Sequence, residues 1–280
     1  YATFAGLIGC GALASGWLAG RLPAGMAAVR PYLENVAGVR GHVLALLAGT
    51  TLMFVMGAVD DRRALGPRVK LAGQALATLP LLAAGIAIHA HLPLAVGWLL
   101  TLFWIVLLTN SFNLLDNMDG LSASVAAVAC GVLALAARQG GQLWMPALFL
   151  CLAGALAGFL FYNWHPASMF MGDAGSLTVG YLMAVFSVLV TYQDVAGGSR
   201  ATPLTLLMPL AIMGVPLFDT LSVIWIRWRA GKPLMVGDRN HFSHRLLAMG
   251  FGPRGAAATI ALLTAATGLL ALPLRWLGWT

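Results

Sequence analysis

"LTNSFNLLDNMDGLSA", residues 108–123, is the stretch on which the reading of this chain turns. It sets two aspartates and three asparagines between long apolar runs, in a chain with nine acidic residues among 280. Asn110, Asn113, Asp116 and Asp119 recur every third residue. At about 100° per residue each step turns roughly 300°, so the four drift by about 180° around a straight α-helix. They cannot face one point unless the helix unwinds there, and Gly120 in its Asn-rich surroundings marks the place for a break. Irregular backbone at membrane depth is tolerated where it lines a cavity. An EF-hand is excluded: with Asp119 and Gly120 at loop positions five and six, Leu115 would stand at position one and Ala126 where the bidentate Glu belongs.

The surroundings are those of a membrane protein. Hydrophobic residues make up 60% of the chain and charged residues 9%, with a positive mean hydropathy, where a soluble domain carries about a quarter charged residues. Apolar runs lie near 1–20, 42–59, 69–88, 92–112, 121–137, 143–161, 176–192, 204–226 and 255–274. Each approaches the ~20 residues that cross the hydrocarbon core as a helix. A β-barrel is excluded because the runs do not alternate apolar and polar positions. The expected fold is therefore an all-α integral membrane protein, a multi-helix transmembrane bundle of about nine helices forming one domain over residues 1–280. Cys10, Cys130 and Cys151 fall inside apolar runs and imply neither a disulfide nor a metal framework. Residue 1 is Tyr, and the first run lacks a signal peptide's basic flank and cleavage site, so a further N-terminal helix is expected to precede it.

Numbering the loops alternately sorts the charges. One side carries Arg62, Arg63, Arg68, Lys70, Arg227, Arg229, Lys232, Arg239, Arg245 and Arg254, ten of sixteen basic residues, and by the positive-inside rule it is cytoplasmic. The same side holds Asp60, Asp61, Asp116, Asp119, Asp173, Asp219 and Asp238, seven of the nine acids. Capping and solvated loops account for single aspartates but poorly for the group. Short carboxylates converging from several helices suit a hard cation such as Mg²⁺, which takes oxygen ligands together with waters and substrate phosphates.

Each motif has a plain alternative. In "VMGAVDDRRALGPRVKLAGQ" the adjacent Asp60 and Asp61 favour a shared cation or a raised pKa, or else form a solvated turn with Arg62 and Arg63. Lys70 is a phosphate-binding charge or a positive-inside anchor. In "NWHPASMFMGDAGSLTVG" Asp173 lies between Gly172 and Gly175 near a helix N-terminus whose free N–H groups favour an anion, and simple capping is the competing role. In "PLFDTLSVIWIRWRAGKPLMVGDRNHFSHRLLAMG" Asp219 sits in an apolar run, followed by His241 and His244 among Arg227, Arg229, Lys232, Arg239 and Arg245. That loop reads as a receptor for a soluble phosphorylated group or an anchor to anionic lipid. Two histidines without a third ligand make an incomplete zinc site.

Together, in this order and at these helix ends, the four segments resemble the polyprenyl-phosphate N-acetylhexosamine-1-phosphate transferase family of integral membrane enzymes. "DDRRALGPRVKLAGQ", "NSFNLLDNMDGL", "NWHPASMFMGDAGS" and "PLFDT" with "DRNHFSH" are similar to that family's motifs across nearly the whole chain. The resemblance implies transfer of a sugar 1-phosphate from a UDP-N-acetylhexosamine to polyprenyl (undecaprenyl) phosphate, with release of UMP and a need for Mg²⁺, Mn²⁺ being a substitute. Asp173 would be the metal carboxylate, with Asn113 and Asp61 beside it, and one of Asp60 and Asp61 would act as base. Lys70 would contact phosphate. Asn110, Asn113, Asp116, Asp119 and Asn163 would shape the nucleotide and metal pocket, while His241, His244 and Arg239 would meet the diphosphate or sugar. The implied setting is a bacterial plasma (inner) membrane in cell-envelope glycan synthesis, with the cleft facing the cytoplasm, a homodimer by analogy, and no nucleic acid partner. The family's first helix and the basic loop after it are missing here, and Ser243 stands where a third histidine is common. Lacking the consecutive histidines of the MurNAc-pentapeptide enzymes, the chain is expected to use N-acetylglucosamine, with MurNAc-pentapeptide as the alternative. From another class, an ion-coupled transporter would use Asp60, Asp116, Asp173 and Asp219 as its pathway, with acids near the bilayer midplane. A membrane scaffold would give these acids no reason to gather.

Overall fold

The computed structural model describes residues 30–88, 92–142, 144–196, 207–231 and 240–275, with isolated positions 6, 8, 15, 20 and 21. The apolar run near 1–20, those positions apart, and the loop residues Lys232, Asp238 and Arg239 lie outside the described residues. Among the described residues the elements are helices only: α1 (Arg30–Gly38), α2 (Arg40–Asp60), α3 (Pro67–Ala83), α4 (Leu94–Leu115), α5 (Leu121–Gln139), α6 (Met145–Asn163), α7 (Gly172–Ala196), α8 (Met208–Ile212), α9 (Gly214–Arg229), α10 (Phe242–Ala248) and α11 (Pro253–Ala271), the last continued by a 3₁₀ turn (Leu272–Arg275). Six of them, α2, α4, α5, α6, α7 and α11, are long and apolar enough to cross a membrane. Helix is the required solution in lipid, which cannot satisfy exposed backbone N–H and C=O groups.

Two expected spans come out differently. The run near 69–88 is helical only to Ala83: Gly85 takes φ 78° and the Ile86 N–H turns back to the Leu81 carbonyl at 2.9 Å, a left-handed glycine stop. The run near 204–226 is two helices, α8 and α9, parted at Met213. Pro216 explains the break, because it has no N–H to donate to Ile212 and its ring crowds that carbonyl. Elsewhere helices outlast the apolar runs: α4 continues through Asn113 to Leu115 and α7 begins at Gly172.

Helix α7 is the central post of the bundle. Buried residues make up 89% of its spanning window, against 28% for α6 and α11. Helix α2 reaches it closely because Gly57 lacks a side chain, a Cβ there lying 2.4 Å from the Asp173 carbonyl and 2.5 Å from the Ala174 Cα. On the opposite face Gly180 meets α4, where a Cβ would stand 2.8 Å from the Thr109 Cα. Without a hydrophobic difference between protein and lipid, such close backbone approach by small residues is what holds membrane helices together. Polar links add to it: the Tyr181 hydroxyl donates to the Ala77 carbonyl at 2.8 Å, and Trp104 Nε1 to Ser187 Oγ at 2.9 Å.

Gly57→Ala is expected to destabilise the protein by about 1–3 kcal/mol, since the added methyl meets backbone that cannot rotate away. Gly158→Ala on α6 meets nothing within 4 Å and should be neutral or stabilising. Thermal unfolding of both variants in detergent checks the contrast, and equal effects would remove the case for a tight α2–α7 contact.

Candidate active site

The acid-bearing motifs meet where α2 and α4 end and α3, α5 and α7 begin. Helix α4 stops at Leu115, Asp116 takes φ −77° and ψ 51°, and α5 starts after Gly120 at φ 71°. The 108–123 stretch is thus two helix ends around an unwound link. Asn110 and Asn113 remain on the helix, while Asp116 and Asp119 leave it, which is how residues at a three-residue spacing come to serve one region.

Asp173, in the first turn of α7, is the hub. Its Oδ2 accepts from Lys70 Nζ at 2.9 Å and its Oδ1 from Asn113 Nδ2 at 2.7 Å. Asn113 also donates to Ser176 Oγ at 2.8 Å. Lys70 forms a second ion pair with buried Asp60, whose other oxygen accepts the Leu65 N–H at 2.6 Å. Asp61 supplies the missing cap of α7: its two oxygens accept the N–H groups of Asp173 at 2.7 Å and Ala174 at 3.0 Å. Adjacent carboxylates therefore have different tasks, Asp60 neutralising Lys70 and Asp61 closing a helix N-terminus. Gly172, at φ 63°, brings the chain over Asp61, and a Cβ there would lie 2.9 Å from that carboxylate.

Asp119 lies 2.8 Å from His165 Nδ1 and accepts the Ala167 N–H at 3.1 Å, while Arg254 Nε donates to the His165 carbonyl at 2.7 Å. Asn163 is buried as a brace, its Oδ1 accepting the Gly120 N–H at 3.0 Å and its Nδ2 donating to the Met169 carbonyl at 2.8 Å. Asn110 turns to α3, donating to Gln74 Oε1 at 2.8 Å. His241 belongs to a neighbouring corner at the start of α10, where Nδ1 lies 2.7 Å from Asp219 Oδ2. The His244 ring centroid is 6.3 Å from that of His241. Arg239 lies outside the described residues. Gln74 and His165 carry no distinguishing signal in the sequence, although each falls inside a quoted motif; type and spacing alone do not separate them from their neighbours.

Asp116 stands apart, with no side-chain hydrogen bond among the described residues. Desolvation first, then the charges of Asp173, Asp119 and Asp61, push its pKa up to about 6. The described residues contain no group of three or more His, Cys, Asp or Glu spaced to hold a metal ion. A Mg²⁺ site of one or two carboxylates completed by water and phosphate still fits, because Asp116 is an unbonded oxygen donor among like charges that a cation would relieve. Beside the cluster an apolar groove of about 300 Å³, lined in part by Phe54, Phe159, Met171, Ala174, Gly175 and Leu182, runs between α2, α6 and α7.

These features define a polytopic α-helical membrane protein with a carboxylate and ammonium site at one end of its helices. The chain belongs to glycosyl transferase family 4, whose model matches residues 43–191. It is 34% identical to a probable undecaprenyl-phosphate N-acetylglucosaminyl 1-phosphate transferase of Bacillus subtilis, over 79% of this chain and 63% of that protein. To a decaprenyl-phosphate N-acetylglucosaminephosphotransferase of Mycobacterium tuberculosis it is 33% identical, over 93% of this chain and 67% of the relative. A phospho-N-acetylmuramoyl-pentapeptide-transferase of Geobacillus kaustophilus is 36% identical over 68% of this chain and 61% of its own length. The chain thus spans about two thirds of the length of these relatives.

Because the folded-state pKa of Asp116 is raised, its stabilising contribution is complete near the ordinary carboxylate value and is lost as pH climbs through about 6. Asp116→Asn should therefore stabilise the protein in chelator and detergent at pH 8, by on the order of 3 kcal/mol at most. The gain should shrink toward zero at pH 4. Melting temperatures of the two proteins across that range test the sign, and a gap that does not depend on pH would place Asp116 in a relaxed, solvated setting.

Proposed function

We propose that this chain transfers N-acetylglucosamine 1-phosphate from its UDP donor to a polyprenyl phosphate, releasing UMP, at the cytoplasmic face of a bacterial membrane and with Mg²⁺. The observation that carries the reading is the Lys70–Asp173–Asn113 network at the head of α7, with unbonded Asp116 beside it, in a chain of this family. Phosphoryl transfer asks a protein for positioning and charge neutralisation more than for covalent chemistry.

A phosphate oxygen of the acceptor attacks the sugar-bearing phosphorus; the bond from that phosphorus to the bridging oxygen breaks, and UMP leaves with the electron pair. The attacking group is a phosphate monoester, largely ionised at neutral pH with a second pKa of about 6. No base is then required, which agrees with Asp60 and Asp61 both being bonded within the protein. Lys70 binds phosphate charge while Asp173 holds it in place. Asp116 and Asp173 would hold Mg²⁺, which when bound polarises phosphoryl oxygens and neutralises developing charge. The apolar groove beside Ala174 supports a lipid-borne acceptor, because an isoprenoid chain entering from the membrane would meet an apolar wall. The transporter reading fits less well, since Asp60, Asp116 and Asp173 lie at helix ends.

Purified full-length protein, incubated with polyprenyl phosphate, Mg²⁺ and a panel of UDP-sugars, should release UMP fastest with UDP-N-acetylglucosamine. Release from none of the sugars would defeat the reading, and a preference for UDP-MurNAc-pentapeptide would reassign the donor. Asp173→Asn should reduce turnover on the order of 10²-fold or more while leaving the melting temperature close to that of the parent. Near-normal turnover would confine Asp173 to a structural part.

A further inference from the structure

Asp219 has no part in the chemistry above, yet it is the most deeply buried carboxylate with a described partner set. Its side chain is 1% exposed and that of His241 4%. Oδ1 accepts the Phe242 N–H at 2.6 Å and Oδ2 lies 2.7 Å from His241 Nδ1. One carboxylate on α9 thus caps α10 and clamps the histidine at its N-cap position. A buried carboxylate is strongly unfavourable unless bonded in this way, and distances this short are typical of charge-assisted bonds. With Nδ1 engaged, Nε2 points to the opposite side of the ring and has no hydrogen bond among the described residues. Ser243, two residues on, donates to Asn117 Oδ1 at 2.6 Å, which fastens α10 against the unwound link carrying Asp116 and Asp119.

We propose that Asp219 is a positioning residue of the active site: it holds the His241 ring in one orientation with Nδ1 protonated, which leaves Nε2 as the nitrogen turned to the nucleotide-sugar donor. This rests on the transferase reading. A carboxylate behind a histidine fixes both tautomer and orientation wherever the opposite nitrogen has work to do. The charged or titratable groups carried by the elements of this corner are Asp219, Arg227 and Arg229 on α9, His244 and Arg245 on α10, Arg254 on α11 and, across the Ser243–Asn117 bond, Asp116 and Asp119. Arg245 is turned aside, stacked over Phe218 and Phe242 at 5.9 and 5.7 Å. Asp219 is the partner in hydrogen-bond contact with the imidazole.

The experiment compares parent, Asp219→Asn, His241→Ala and the double variant of the full-length enzyme for kcat and KM toward UDP-N-acetylglucosamine. Imidazole ¹⁵N spectra of parent and Asp219→Asn are recorded alongside, without substrate, His241 being assigned through His241→Ala. Asp219→Asn should lower kcat/KM on the order of 10-fold, and the double variant should be no slower than His241→Ala. The spectra should show His241 protonated at Nδ1 in the parent. Additive losses, an unchanged kcat/KM in Asp219→Asn or an unprotonated Nδ1 would each overturn the proposal. Should Asp219→Asn fail to fold, the parent spectrum alone decides whether Nδ1 carries the proton. A parent that releases no UMP but shows the Nδ1 proton would defeat the transferase reading, and with it the task given to Nε2, while leaving the Asp219–His241 clamp as found.

Discussion

The carboxylate of Asp61, at the end of α2, closes the N-terminus of α7, and much of the site follows from that contact. Helix α7 is the bundle's most buried spanning segment, and at its half-exposed first turn the free N–H groups find their acceptor in Asp61. For Asp61 to reach them, the chain must arrive through a left-handed Gly172, and α2 must come within backbone contact at Gly57. Once those are in place Asp173 projects from the first turn between Lys70 of α3 and Asn113 of α4. The cap thus determines where three helices deliver their polar groups.

The same device appears at the other corner, where Asp219 of α9 accepts the first N–H of α10. In both places an aspartate caps an element far from it in sequence, leaving that element's own residues available for other contacts. Capping and function are therefore not competing roles for these acids. Asp61 caps so that Asp173 can face Lys70, and Asp219 caps so that His241 is held by its Nδ1. What separates the acids is whether their oxygens are already bonded, and by that measure Asp116 differs from Asp60, Asp61, Asp119, Asp173 and Asp219. Its raised pKa follows from burial among like charges, a state that a cation or a phosphate-bound metal would relieve.

Several residues read as pocket-forming from their motifs also bond within the framework. Asn163 links the start of α5 to the 163–170 loop through both ends of its amide, and Asn110 makes an amide pair with Gln74 across α3 and α4. A motif records that a polar residue is needed at a position but not which neighbour it serves. The 204–226 run shows the same limit for the fold, since hydropathy saw one apolar segment where a break at Met213 separates α8 from α9.

From the sequence by itself came the class and the gathering of the acid-bearing motifs. Apolar runs near 20 residues long leave only helices as a solution in lipid, alternate loops place seven of nine acids at one end, and a three-residue spacing beside Gly120 requires the helix to unwind. Those are local or additive properties, summed along the chain without knowing what touches what. Only the tertiary structure decided which carboxylates are bonded and which is not. The partners of Asp61, Asp60, Asp119 and Asp219 come from other helices and loops, and a hydrogen bond depends on ångström-scale placement that no periodicity encodes.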